Sequence, residues 1–103
     1  MTAVVVVAIL LLAGCTAVGD REQLTRQGET AFSSQGCYGC HTVGKAGTPI
    51  ATDLTRIGAR YSESHLRSWL ADPDAQKPTA HMPKLALTDA EVKSLAAYLA
   101  SLR

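Results

Sequence analysis

Cys37-Tyr38-Gly39-Cys40-His41 constrains this chain more than any other stretch. Two thiols sit at i and i+3 with an imidazole directly after the second, a combination that packing alone does not call for. The chain holds three cysteines, Cys15 being the third, and an odd count means that at least one has a use other than an internal disulfide. The 103 residues accommodate one domain. Aromatic content is 5%, with one Trp and one Phe, so a core of these side chains alone is thin, and a domain of this size usually needs a staple or filler. Ten Lys and Arg against nine Asp and Glu give a formal net charge of +1. That balance argues against nucleic acid or acidic lipid as the main partner, since such binders show a basic excess.

Four chemistries compete for the motif. A zinc site needs a fourth ligand and usually a second Cys pair. A thioredoxin-type CxxC expects a βαβ context, and no alternating strand pattern surrounds this one. A disulfide between Cys37 and Cys40 leaves His41 without a role. Covalent attachment of a c-type haem uses all three residues: both thiols project from one turn toward the vinyl groups, and His41 supplies the proximal nitrogen to the iron. Gly39 leaves room for the macrocycle edge. The haem is also the missing core, a large apolar disc for a thin set of side chains to wrap.

The sixth iron position has three candidate states. Met82 lies in "HMPK", 41 residues beyond His41, in a segment punctuated by Pro73, Pro78 and Pro83. Pro83 restricts the backbone just after the thioether, and a lone methionine in a polar, irregular segment is an odd choice for core packing. Met82 is therefore the expected distal ligand. His81 next to it is the rival, and would give a lower potential. An open position would allow peroxidase or gas-binding chemistry. His65 reads as a surface or propionate-side residue.

Ala3 to Ala13 is an unbroken apolar run of eleven residues. It is shorter than the roughly 18–20 needed to cross a bilayer and fits the hydrophobic region of a signal peptide. It leads into Leu12-Ala13-Gly14-Cys15, which resembles the lipobox of bacterial lipoproteins, where the cysteine is acylated and the peptide before it removed. On that reading residues 1–14 are the signal peptide, 15–20 a lipidated tether and 21–103 the domain. An uncleaved anchor with Cys15 as a bystander is the alternative, and no Lys or Arg precedes Arg21. Either way the domain is expected outside the cytoplasm, at the periplasmic face of a bacterial inner membrane. Five tether residues span at most about 17 Å, so it should lie close to the membrane surface.

The remaining pattern is all-helical. Arg21 to Gln35 reads as a helix leading into the motif. Ser62 is a candidate N-cap for a helix from Glu63 to Ala71, which Pro73 stops. Thr88-Asp89-Ala90-Glu91 reads as a capping box opening a helix from Asp89 to Leu102, with Val92, Leu95, Ala96, Leu99 and Leu102 on one stripe. No substantial sheet is expected. Taken together, "GETAFSSQGCYGCHTVG", "DLTRIGARY", "LRSWLADP" and "HMPKLALTDAEVKSLAAYLASL" make residues 23–103 resemble a small bacterial class I cytochrome c, most of all the monohaem domains attached to haem-copper oxidases and related respiratory complexes.

The resemblance implies three main helices around one covalently held haem. Gly28 and Phe32 would meet Tyr98 and Leu99 at a close helix crossing. Leu54 would pack on the proximal haem side. Trp69, with Arg60 or Tyr61, would contact a haem propionate, with plain core filling as the alternative for Trp69. Where the family commonly has a proline whose carbonyl meets the proximal histidine, Thr52 stands here, and its carbonyl remains available to the His41 Nδ1–H. The implied function is one-electron transfer between respiratory or photosynthetic complexes, with no acid, base or nucleophile required. A subunit of a larger assembly and a laterally mobile lipid-anchored carrier are the two forms of that function. The short tether and balanced charge favour the subunit, since two propionates would only take the formal charge from +1 to about −1.

Overall fold

The computed structural model describes residues 19–103. The expected signal peptide, Cys15 and most of the tether lie outside the described residues. The first helix, α1, covers residues 19–34. It is therefore already helical two residues before Arg21. It ends where Gly36 adopts φ 77°, a left-handed conformation that glycine tolerates and that stops helices. A 3-10 turn, Cys37–Gly39, follows directly. Next comes a small antiparallel hairpin, β1 (Thr42–Val43) with β2 (Ala46–Gly47), in the register Thr42 to Gly47 and Val43 to Ala46.

Four more helices complete the order: α2 (Ile57–Arg60), α3 (Glu63–Ala71), α4 (Pro73–Gln76) and α5 (Asp89–Ser101). Two of these caps are local chemistry, and both form. The Ser62 side chain accepts from the His65 N–H, opening α3. Thr88 and Glu91 form both arms of the capping box that opens α5. Pro73 does end α3, but it also starts α4. Its missing N–H costs nothing at a first helical position, and the Asp72 side chain caps the turn by accepting from the Ala75 N–H. The three expected helices are thus joined by two single-turn ones.

The core gathers along α5. Residues 94–99 are buried without interruption, because α3 and α2 pack on it and α1 crosses it at Gly28. A Cβ on Gly28 would lie 1.9 Å from the Ser94 carbonyl oxygen and 2.7 Å from the Tyr98 Cβ. Below that crossing the Phe32 ring meets Tyr98 at 5.7 Å and Tyr38 edge-on at 4.7 Å. Burial pushes the Tyr98 phenol up to about 12, with neighbouring Tyr38 adding to the shift. Among the described residues no helix is long and apolar enough to cross a membrane.

Three carboxyls tie this frame together at its surface. Arg21 on α1 pairs with Glu63 at the start of α3, and this hydrogen bond holds the Glu63 carboxyl below its ordinary range. Glu91 is lowered by its bonds to Thr88, and Asp53 by hydrogen bonds from Thr55 and Thr42. A carboxyl with a depressed folded-state pKa contributes stability above its unfolded pKa and loses it as pH falls through the folded one. Thermal melts are therefore expected to be flat across neutral pH and to fall steadily once pH drops below the ordinary carboxylate range. A melting temperature that holds or rises on acidification would contradict this.

Candidate functional site

The 3-10 turn sets the geometry of the motif. Side chains three apart on such a turn lie on the same edge, which brings Cys37 and Cys40 to one side. The Gly39 N–H bonds to the Gly36 carbonyl at 2.9 Å, and the His41 N–H to the Cys37 carbonyl at 3.0 Å. Both thiols are free, Cys37 half-buried and Cys40 exposed, and burial pushes the Cys37 thiol up. Beside Cys40, Ile50 donates its N–H to the Cys40 carbonyl at 3.2 Å while its side chain is 73% exposed. Gly47 closes the hairpin at φ 101°, where a Cβ would come within 2.1 Å of the His41 carbonyl oxygen. The loop thus wraps tightly around the histidine.

His41 is oriented from outside the motif. Its Nδ1 lies 2.7 Å from the Thr52 carbonyl oxygen. A carbonyl only accepts, so this contact places a proton on Nδ1, and in the neutral ring Nε2 then keeps its lone pair. That is the tautomer a metal-binding histidine needs. Leu54 follows Thr52 closely, half-buried against the core cluster, with its N–H on the Thr42 carbonyl at 2.8 Å.

On the other side of the sequence, Met82 is half-buried and packed against the same cluster, whereas its neighbour His81 is exposed. Trp69 on α3 donates its indole N–H to the Met82 sulfur at 3.2 Å. One lone pair of the thioether takes this hydrogen bond and the other is left to coordinate. The family resemblance places Trp69, with Arg60 or Tyr61, beside a haem propionate, with core filling as the alternative for Trp69. Tyr61 stacks on His65 at 4.7 Å with 17° between the rings, and the Arg60 guanidinium lies 5.5 Å above Tyr61. Arg60, Tyr61 and His65 form their own surface stack, separate from the Trp69–Met82 contact.

Sequence reasoning missed Asp53, Thr42 and Thr55, which link the loop behind His41. Asp53 and Thr55 flank Leu54 as ordinary polar loop residues, and Thr42 lies eleven residues before Asp53, so no local pattern joins them. Among the described residues, no three His, Cys, Asp or Glu side chains are grouped so as to hold a bare metal ion.

The cytochrome c family profile matches residues 25–103. The chain is a member of the cytochrome c family. That membership implies a haem c, and the residues present fit one: two free thiols on one turn, an imidazole with Nε2 available, and a thioether sulfur held in place by an indole. The cytochrome c domain is also 32% identical over 91 residues to cytochrome c oxidase subunit 2 of Alkalihalophilus pseudofirmus, covering 80% of this chain and 27% of that protein. It is 31% identical over 97 residues to cytochrome c oxidase subunit 2 of Bacillus subtilis, covering 78% of this chain and 27% of that protein. The chain thus spans about a quarter of the length of these relatives. Haem-based electron transfer is the function the family membership supports.

Proposed function

We propose that this cytochrome c domain carries single electrons as a non-catalytic, membrane-tethered subunit of a respiratory oxidase assembly. Cys37 and Cys40 would hold one haem c through thioether bonds, and His41 and Met82 would ligate its iron. The observation that carries this reading is the hydrogen bond between His41 Nδ1 and the Thr52 carbonyl, which aims the coordinating nitrogen from the residue next to the second thiol. The haem supplies a one-electron ferrous/ferric couple when bound.

The chain's own residues do the rest. Thr52 fixes the imidazole through its carbonyl. Trp69 fixes the thioether, and Pro83 limits the backbone after it. Leu54 and the α5 core keep water from the interior side. Cys40 and Ile50, both exposed, make the edge through which an electron partner approaches. No side chain is asked to transfer a proton or form a substrate bond. The oxidase names of the relatives support the subunit form over the mobile carrier, and "LLAGC" at Leu11 to Cys15 supports lipidation of Cys15 as the tether at the periplasmic face.

Native gels of mildly solubilised membranes test the assembly: comigration of the haem-stained band with oxidase activity is expected, and migration alone at the size of the free domain would favour the mobile carrier. Cys15→Ser is expected to release the domain from membranes or block its maturation. Unchanged membrane retention would favour the uncleaved anchor.

A further inference from the structure

Thr52, whose carbonyl orients His41, has no ring to fix its φ, sits in an irregular segment and is exposed. Something else must hold that carbonyl. The next residue, Asp53, gathers three donors on one oxygen: the Thr42 hydroxyl at 2.9 Å, the Thr55 hydroxyl at 2.7 Å and the Thr55 N–H at 3.2 Å. The Thr55 hydroxyl in turn accepts from the Gly44 N–H at 2.8 Å. With the Leu54 N–H on the Thr42 carbonyl at 2.8 Å, residues 52–55 are laced to residues 41–44. His41 and Thr52 form one rung of that lacing.

We infer that Asp53 is a positioning residue for the haem site: its carboxylate, through Thr42 and Thr55, clamps the Thr52 carbonyl where it receives the His41 Nδ1–H. The inference rests on the haem-ligand reading proposed above. Bonds to an ionised acceptor are stronger than neutral ones, and a carboxylate oxygen has more than one acceptor site, which suits it to collect both threonines on Oδ1. The acidic side chain therefore does by hydrogen bonding what a rigid ring at position 52 would do by covalent restriction. A fixed N–H to carbonyl bond also makes the imidazole a stronger donor, favouring the ferric state.

Three variants of the holoprotein test this. Thr55→Val removes both links of the Thr55 hydroxyl, to Asp53 and from the Gly44 N–H, while keeping shape and charge. Asp53→Ala removes the clamp and the charge together, and Asp53→Asn removes the charge but retains an acceptor oxygen. Proton exchange of the His41 Nδ1–H, read by NMR in the reduced state, is expected to be about tenfold faster in Thr55→Val and Asp53→Ala, from the lost hydrogen bonds. In Asp53→Asn it should fall between wild type and Asp53→Ala, because the amide oxygen still accepts but its neutral bonds are weaker. Loosening the imidazole should raise the reduction potential of Thr55→Val by about 28 mV, a threefold change in the one-electron equilibrium at 59 mV per tenfold. Should Asp53→Ala fail to mature, Thr55→Val carries the test without any change of charge. Wild-type exchange and potential in Thr55→Val, in protein with normal covalent haem, would overturn the clamp and leave the ligand reading standing. Wild-type protein lacking covalent haem would overturn both.

Discussion

Met82→Ala is expected to abolish the far-red sulfur-to-iron absorption band and open the iron to carbon monoxide. It should also lower the reduction potential by on the order of 0.1–0.3 V, within the ~0.8 V range that axial ligands span. A thioether favours the ferrous state, and Met82 is the half-buried side chain of the "HMPK" segment that packs against the core. The sulfur is not free to wander, because the Trp69 indole N–H holds it at 3.2 Å. If exposed His81 were the ligand instead, Met82→Ala would leave the iron six-coordinate and closed to carbon monoxide. An unchanged far-red band and an unchanged potential would remove Met82 from the ligand set.

The second large effect is on folding. Gly28→Ala places a Cβ 1.9 Å from the Ser94 carbonyl oxygen and 2.6 Å from its carbon. Both are backbone atoms of α5, so no side chain can rotate away, and α1 must lift from the element that carries most of the core. Overpacking of this kind costs about 3 kcal/mol or more. In a domain of this size that is on the order of 10 °C or more in melting temperature. Loss of the crossing also frees Phe32, whose ring packs edge-on against Tyr38 of the motif, so poor haem incorporation should accompany the instability. A melting temperature within about 2 °C of wild type, against the several degrees per kcal/mol expected, would show that the crossing is looser than the Gly28 geometry requires.

What was legible in the sequence was local. Ser62 and Thr88 announced their helices because a cap is decided within three residues. The Cys37–His41 motif carried its chemistry in its spacing. The stripe on α5 was only partly legible. Val92 and Leu102 are half-buried, while Ser94, Ala97 and Tyr98 are fully buried, because helices press on α5 from several sides and a one-faced pattern does not anticipate that. Pro73 was readable as a stop but not as a start, since that depended on Asp72 turning back to cap α4.

The site divides in the same way. The His41–Thr52 bond could be expected from the availability of a backbone carbonyl at that place. The Trp69 contact could not, because it joins residues 13 apart across a loop whose path the sequence does not specify. The lacing around Asp53 was hidden for the same reason. Its partners Thr42 and Thr55 read as ordinary polar loop residues until the hairpin and the return of the chain place them on one carboxylate oxygen.

The most direct test is intact mass analysis of the mature, denatured protein together with its pigment after acid-acetone extraction. The expected result is a polypeptide heavier by one haem, with the colour retained on the protein and lost when Cys37 and Cys40 are both replaced by alanine. A polypeptide of unmodified mass, or pigment that passes into the acid acetone, would contradict it.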